Sequence, residues 1–126
     1  MTKRAEERAA RERRNKRLEE TVIIMKYLRS LHVYLEVDIL RQRARRRDCD
    51  SIDRVRSHIS NAADFIFLRR FNAALPLLEK AGKILSKMNQ WRRQQGNDLF
   101  RAATEKVQLL AAEDLAALNA EAASSR

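Results

Sequence analysis

Ile24, Leu28, Leu31, Leu35 and Ile39 follow one another at intervals of four, three, four and four residues. That spacing is one face of an α-helix. Around the same segment, Val22, Val33, Val37 and Leu40 form a weaker apolar line, broken by Arg29 and Glu36. Two apolar sides predict burial on two sides, in the middle of a bundle or against a second copy of the chain. No Gly or Pro intervenes before Arg47, so one helix is expected over residues 18–47. With the charged residues before it, the helix can exceed about forty residues, a length that points to an oligomer.

Three more helices follow from the same pattern. Asp48, Asp50 and Ser51 are N-cap residue types, and Asp53 stands three residues after Asp50 as in a capping box. A second helix is expected over 51–70, with Ile52, Val55, Ile59, Ala62, Ala63 and Ile66 as its stripe. Asn72 can cap a third over 73–95, in which Pro76 is tolerable only in the first turn. Leu75, Leu78, Ala81, Leu85 and Met88 keep its spacing. Gly96 suits a C-terminal stop, and Asn97 or Asp98 can cap a fourth helix over 98–120. Residues 2–20 alternate acids, bases and alanine, which cannot form a core but can form a helix through pairs such as Glu7–Arg11 and Glu12–Lys16. The expected organisation is a fraying basic extension over 1–20, a helical domain over 21–121 and a disordered tail over 122–126. The fold class is all-α: a four-helix bundle with a very long basic N-terminal helix.

Composition agrees with this reading. The 126 residues hold two Gly and one Pro, so turns must be few. "FNAALPLLEKA" at 71 and "FRAATEKVQLLAA" at 100 share an opening at an offset of 29 residues, which suits stacked helical units. Ala62, Phe65, Phe71, Ala74, Leu78 and Ala81 resemble the small–large pattern of one tetratricopeptide hairpin. Arg69 and Arg70, however, stand where that family turns with Gly, and any antiparallel helix pair sets small residues against large ones. The resemblance covers one hairpin and assigns no family.

Charge adds the functional content. The net charge is +10, with 15 basic and 7 acidic side chains in residues 1–47 but 3 and 5 in residues 98–126. Such asymmetry points to a polyanion: nucleic acid, an anionic membrane face or an acidic protein. "LRQRARRRDCDSID" concentrates it, with Arg41, Arg43, Arg45, Arg46 and Arg47 at the end of the first helix. One or two cations suffice to complement a helix C-terminus, and the three nearby aspartates can neutralise part of the rest. The excess is arginine, whose guanidinium fork matches phosphate bidentately.

A second basic block is Arg11, Arg13, Arg14, Lys16 and Arg17. It is similar to the basic region that feeds the dimerisation helix of leucine-zipper or helix-loop-helix factors, but the heptad positions after it read Leu18, Met25, His32 and Ile39. A third, Arg92 and Arg93, follows Trp91, which can stack on a base or pack in an interface.

Nothing points to an enzyme. His32 and His58 are isolated, and metal-binding spacings and glycine-rich phosphate loops are absent. No cofactor or metal is expected. The single Cys49 excludes an internal disulfide. The charged first twenty residues are unlike a secretory or mitochondrial leader, and Lys26, Arg29, Glu36 and Asp38 interrupt the most apolar stretch. A cytoplasmic location without a membrane span is expected.

Two functional readings result. In the first, the protein associates with DNA or RNA through its arginine-rich helix with weak sequence selectivity, in regulation, packaging or plasmid and phage nucleic-acid handling. In the second, it is a non-enzymatic adaptor, inhibitor or chaperone for an acidic protein. The expected partner interface comprises Val33, Val37, Leu40, Phe65, Phe67 and Phe71, and a homo-oligomer is expected in either case.

Overall fold

The computed structural model describes residues 2–44, 49–87 and 94–124, with the backbone alone for 42–44 and 94–95. It is an all-α four-helix bundle: α1 (Lys3–Ala44), α2 (Asp50–Phe67), α3 (Phe71–Lys87) and α4 (Gln94–Ser124). Helix α1 packs on α2 and α4, and α3 packs on the same two, so the four form a ring around one core. Each helix runs antiparallel to the one before it. Arg17 of α1 meets Asp114 of α4, while Tyr34 and Asp98 line one cleft further up the same pair.

The stripe from Ile24 to Ile39 is buried as its spacing predicts, each side chain 3% exposed or less. Ile52, Val55, Ile59, Ala62 and Ile66 of α2 meet it, with Phe71, Ala74, Leu78, Ala81 and Leu85 of α3 and Ala103, Val107, Leu110 and Ala111 of α4. Small residues stand among large ones on α2, α3 and α4, which lets the helices interdigitate. Gly82 serves the α3–α4 contact: a Cβ placed there would lie 3.3 Å from the Phe100 ring. The second side of α1 is left uncovered among the described residues. Val22, Val33, Val37 and Leu40 are all exposed, Leu40 at 65%.

The helix boundaries differ from the sequence-based expectation in instructive places. Helix α1 is continuous from Lys3, so residues 3–20 belong to the same rod as the core stripe. Helix α2 starts at Asp50 with Cys49 in the N-cap position. Cys49 makes no side-chain cap; its buried Sγ lies 3.7 Å from the Ile39 carbonyl and fastens the helix start to α1. Asp50 and Asp53 still serve as acids in the first turn, where they complement the helix dipole.

Helix α2 ends at Phe67, three residues before the expected limit. The Arg70 N–H donates to the Phe65 carbonyl at 2.8 Å and the Arg69 N–H to that of Ile66 at 2.9 Å. These two bonds make a Schellman C-cap, and Arg69 takes the left-handed position at φ 60° that usually falls to Gly.

Helix α3 starts at Phe71, so Asn72 lies inside it and Pro76 is its sixth residue, beyond the first turn. The missing Pro N–H removes the bond to the Asn72 carbonyl, a cost that burial of the α3 stripe outweighs. The expected stretch of α3 from 88 to 93 lies outside the described residues. Gly96 is no stop: it is buried in the first turn of α4, which begins at Gln94, before the expected caps at Asn97 and Asp98. Propensity is a weak prior that packing of a helix start overrides. Helix α4 also runs on to Ser124, through part of the expected tail. The antiparallel register carries it alongside the beginning of α1.

The bundle therefore has two unlike ends. At one, which we call the loop end, Ala44 and Cys49 flank the α1–α2 connection and Lys87 and Gln94 flank the α3–α4 connection. At the other, α1 before Arg17 and α4 beyond Asp114 project past the α2–α3 turn as a two-helix arm. No helix among the described residues is long and apolar enough to cross a membrane.

Candidate functional site

Two surfaces stand out, one charged and one apolar, at different places on the bundle. The charged surface is the loop end. Arg41 is exposed on the last described turns of α1, and Arg43 lies in the same helix. Arg45, Arg46 and Arg47, like Trp91, Arg92 and Arg93, lie outside the described residues. Both segments are nevertheless tethered to helix ends that share one end of the bundle. Tyr34 of α1 and the start of α4 line one cleft there, and Cys49 contacts Ile39. Arg54, Lys83, Lys87 and Arg101, which sequence reading had not singled out, are exposed near the same end. Across residues 41–54 and 87–98 the sequence carries nine basic and four acidic side chains. Asp53 is engaged by Arg56 at 3.4 Å, within α2. The signal that could have found this convergence is topological: consecutive antiparallel helices put the first and third connections at the same end.

The arm carries the other basic block. Arg11, Arg13, Arg14 and Lys16 are exposed on α1. Arg13, Arg14 and Lys16 border a cleft with Glu20 and Glu113. Arg17 is committed inside the molecule: its Nη2 donates to Asp114 Oδ1 at 2.7 Å, Nε lies 4.0 Å from Glu113, and the guanidinium sits 5.7 Å from the centre of the Phe71 ring. The pair is only partly buried, so its contribution is about 1 kcal/mol. Thr21, one turn on, is buried and satisfied by donating to the Arg17 carbonyl at 2.8 Å.

The apolar surface is a groove of about 860 Å³ between α1 and α2. It exists because α2 presents Ser60 and Ala63 there, too small to fill the space beside Val22, Met25 and Val33 of α1. Phe67 and Leu68 close it at the arm end together with Leu18; they are 70%, 61% and 48% exposed. Lys26, Arg29 and Arg69 rim it, and none of its described lining residues is a carboxylate. His32 also lines the groove and contacts Glu36 at 3.3 Å.

No family model, curated protein or solved structure matches this chain. The reading of both surfaces therefore rests on their own chemistry.

The three phenylalanines of the expected partner interface separate. Phe71 is core, 2% exposed; Phe65 is half-buried against the core; Phe67 alone is open. Val33 falls on the groove, while Val37 and Leu40 continue along exposed α1 toward the loop end. Sequence reading missed Leu18, Leu68 and Arg69 as surface features. The intervals of four and three residues from Leu18 to Val22 to Met25 marked a second seam, but the groove itself depends on α2 being small at Ser60 and Ala63.

Proposed function

We propose that the protein is a non-enzymatic nucleic-acid-associating factor whose contact surface is the loop end of the bundle. The observation that carries this reading is that the helix ends flanking the first and third connections share one end of the fold, where Arg41, Arg54, Lys83, Lys87 and Arg101 are exposed. The sequence adds Arg43, Arg45, Arg46 and Arg47 to the first of these connections and Arg92 and Arg93 to the other. A field of that kind attracts a polyphosphate by releasing its condensed counterions, and arginine forks grip phosphate in pairs. Helix α1 ends there with its C-terminal dipole, which a cluster of cations offsets. The arm's cations are interleaved with Glu6, Glu7 and Glu12 and stand beside Glu113. They add to the overall field but offer a less continuous phosphate surface. Base-reading elements are not evident, so binding is weakly selective for sequence.

The test is fluorescence anisotropy with labelled duplex DNA, single-stranded DNA and structured RNA over a salt series. Binding that persists near 150 mM salt and weakens steeply above it is expected for at least one of the three. Binding to none of them above low salt would refute the proposal and leave the acidic-protein reading. That second reading has its own support in Phe67, an open aromatic at the end of α2 away from the loop end.

A further inference from the structure

The α1–α2 groove gathers several exposed apolar side chains on one side of the bundle. Leu18, Val22, Val33, Phe67 and Leu68 are between 46% and 70% exposed and line one depression. From Leu18 to Val33 the groove follows four turns of α1, about 22 Å, room for a helix of similar length. Its rim is cationic, through Lys26, Arg29 and Arg69. A helix that filled it would bring an apolar stripe and acidic flanks.

The chain carries such a helix. Beyond the bundle, α4 exposes Leu115 and Leu118 at 54% and 59%. Leu115, Leu118 and Ala122 fall on one line at intervals of three and four residues, continuing from Ala111, which is itself buried in the core. From Val107 to Ser124 the segment carries Glu113, Asp114 and Glu121 and no cation. Asp114 is held by Arg17; Glu113 lies at the edge of the same pair, 4.0 Å from Arg17 Nε and 61% exposed, and Glu121 is exposed. The segment projects from the arm end of the bundle, the end at which Phe67 and Leu68 close the groove. Two molecules placed arm end to arm end would each lay α4 along the other's groove. The arm's other helix, the basic start of α1, would be repelled by the same rim.

We propose that the chain forms a two-fold dimer in which the acidic, leucine-bearing end of α4 of each copy occupies the α1–α2 groove of the other. The contact is reciprocal, so it closes and does not propagate. Leu115 and Leu118 fill the depression over Ser60 and Ala63, beside Phe67. Lys26, Arg29 and Arg69 face the carboxylates. The occupancy of the left-handed position at 69 by arginine in place of glycine fits this role, since a glycine there would remove one cation from the rim. This proposal is independent of nucleic-acid binding and stands or falls on the oligomeric state alone.

Sedimentation velocity on the full chain, from 1 to about 100 μM at physiological salt, provides the test. A dimer is expected for the native sequence. Phe67→Lys and Leu118→Lys, both at exposed positions, should each weaken it at least tenfold while circular dichroism keeps its helical signal. Leu40→Lys, outside the groove, should leave it intact. Charge reversal gives the sharper result. One variant carries Lys26→Glu, Arg29→Glu and Arg69→Glu; a second carries Glu113→Lys and Glu121→Lys. Each should be monomeric alone, and an equimolar mixture should restore the dimer, because each groove then meets an α4 of opposite sign. A native chain that stays monomeric throughout overturns the proposal, as does a dimer that survives Leu118→Lys or a mixture that fails to associate.

Discussion

Arg69 shows how a single residue can conflict with its local geometry. An L-residue in the left-handed region costs about 1–2 kcal/mol relative to the right-handed one, a cost glycine does not meet. Arg69 sits there at φ 60° because the Schellman bonds of the α2 C-cap require it. Arg69→Gly should therefore raise stability toward denaturant by about 0.5–1 kcal/mol, less than the full cost because glycine also gains freedom in the unfolded chain. A loss of stability in urea titration would show that the arginine side chain contributes more than its backbone costs. The place of this turn was legible only in part. Arg69 and Arg70 gave no turn signal, and the stop arose from packing α2 against α3. Arg17 is similar: in sequence it belongs to a basic run, and only the antiparallel register of α1 and α4 brings it to Asp114.

At the scale of elements, periodicity was the dependable signal and boundaries the weak one. The buried stripes of α1 and α2 match their predicted positions almost residue for residue, because a helix must bury one face whatever surrounds it. The ends moved because caps are individually worth about 1 kcal/mol and packing outvotes them. Asn72, Gly96 and Asn97 all carried end signals that the adjoining helix overrode. The two sides of α1 make a direct comparison. Leu31 is fully buried and Leu40 is 65% exposed on the same helix. Leu31→Ala should cost about 2–5 kcal/mol, the range for an emptied core site. Leu40→Ala should stay within about 0.5 kcal/mol. Thermal melts of the two variants would check this; equal losses would mean that the outer side of α1 is buried in solution by contacts other than those proposed.

For the whole molecule, the distribution of surfaces matters more than any one of them. The bundle separates a cationic loop end from an arm and groove at the opposite end. Sequence reading recognised the arginines but treated each basic block as a separate feature along the chain. Only up-down-up-down topology brings the end of α1 to the end of α3 and the start of α4, and topology follows from helix number and connection length, not from the basic residues themselves. The groove was less legible still, since it is defined by what α2 lacks beside α1.

The central claim is that the loop end, and not the arm, holds the polyanion. The most direct measurement compares two variants by anisotropy across a salt series with the best-bound nucleic acid. One carries Gln at Arg43, Arg45, Arg46 and Arg47; the other carries Gln at Arg11, Arg13, Arg14 and Lys16. Both remove four cations, so a purely general field effect would act on them alike. If the loop end makes the contacts, the first variant should flatten the log–log salt slope by about 3–4 on duplex DNA and the second by less than about 1. A loop-end variant that keeps the native slope, or an arm variant that loses more, would contradict the account.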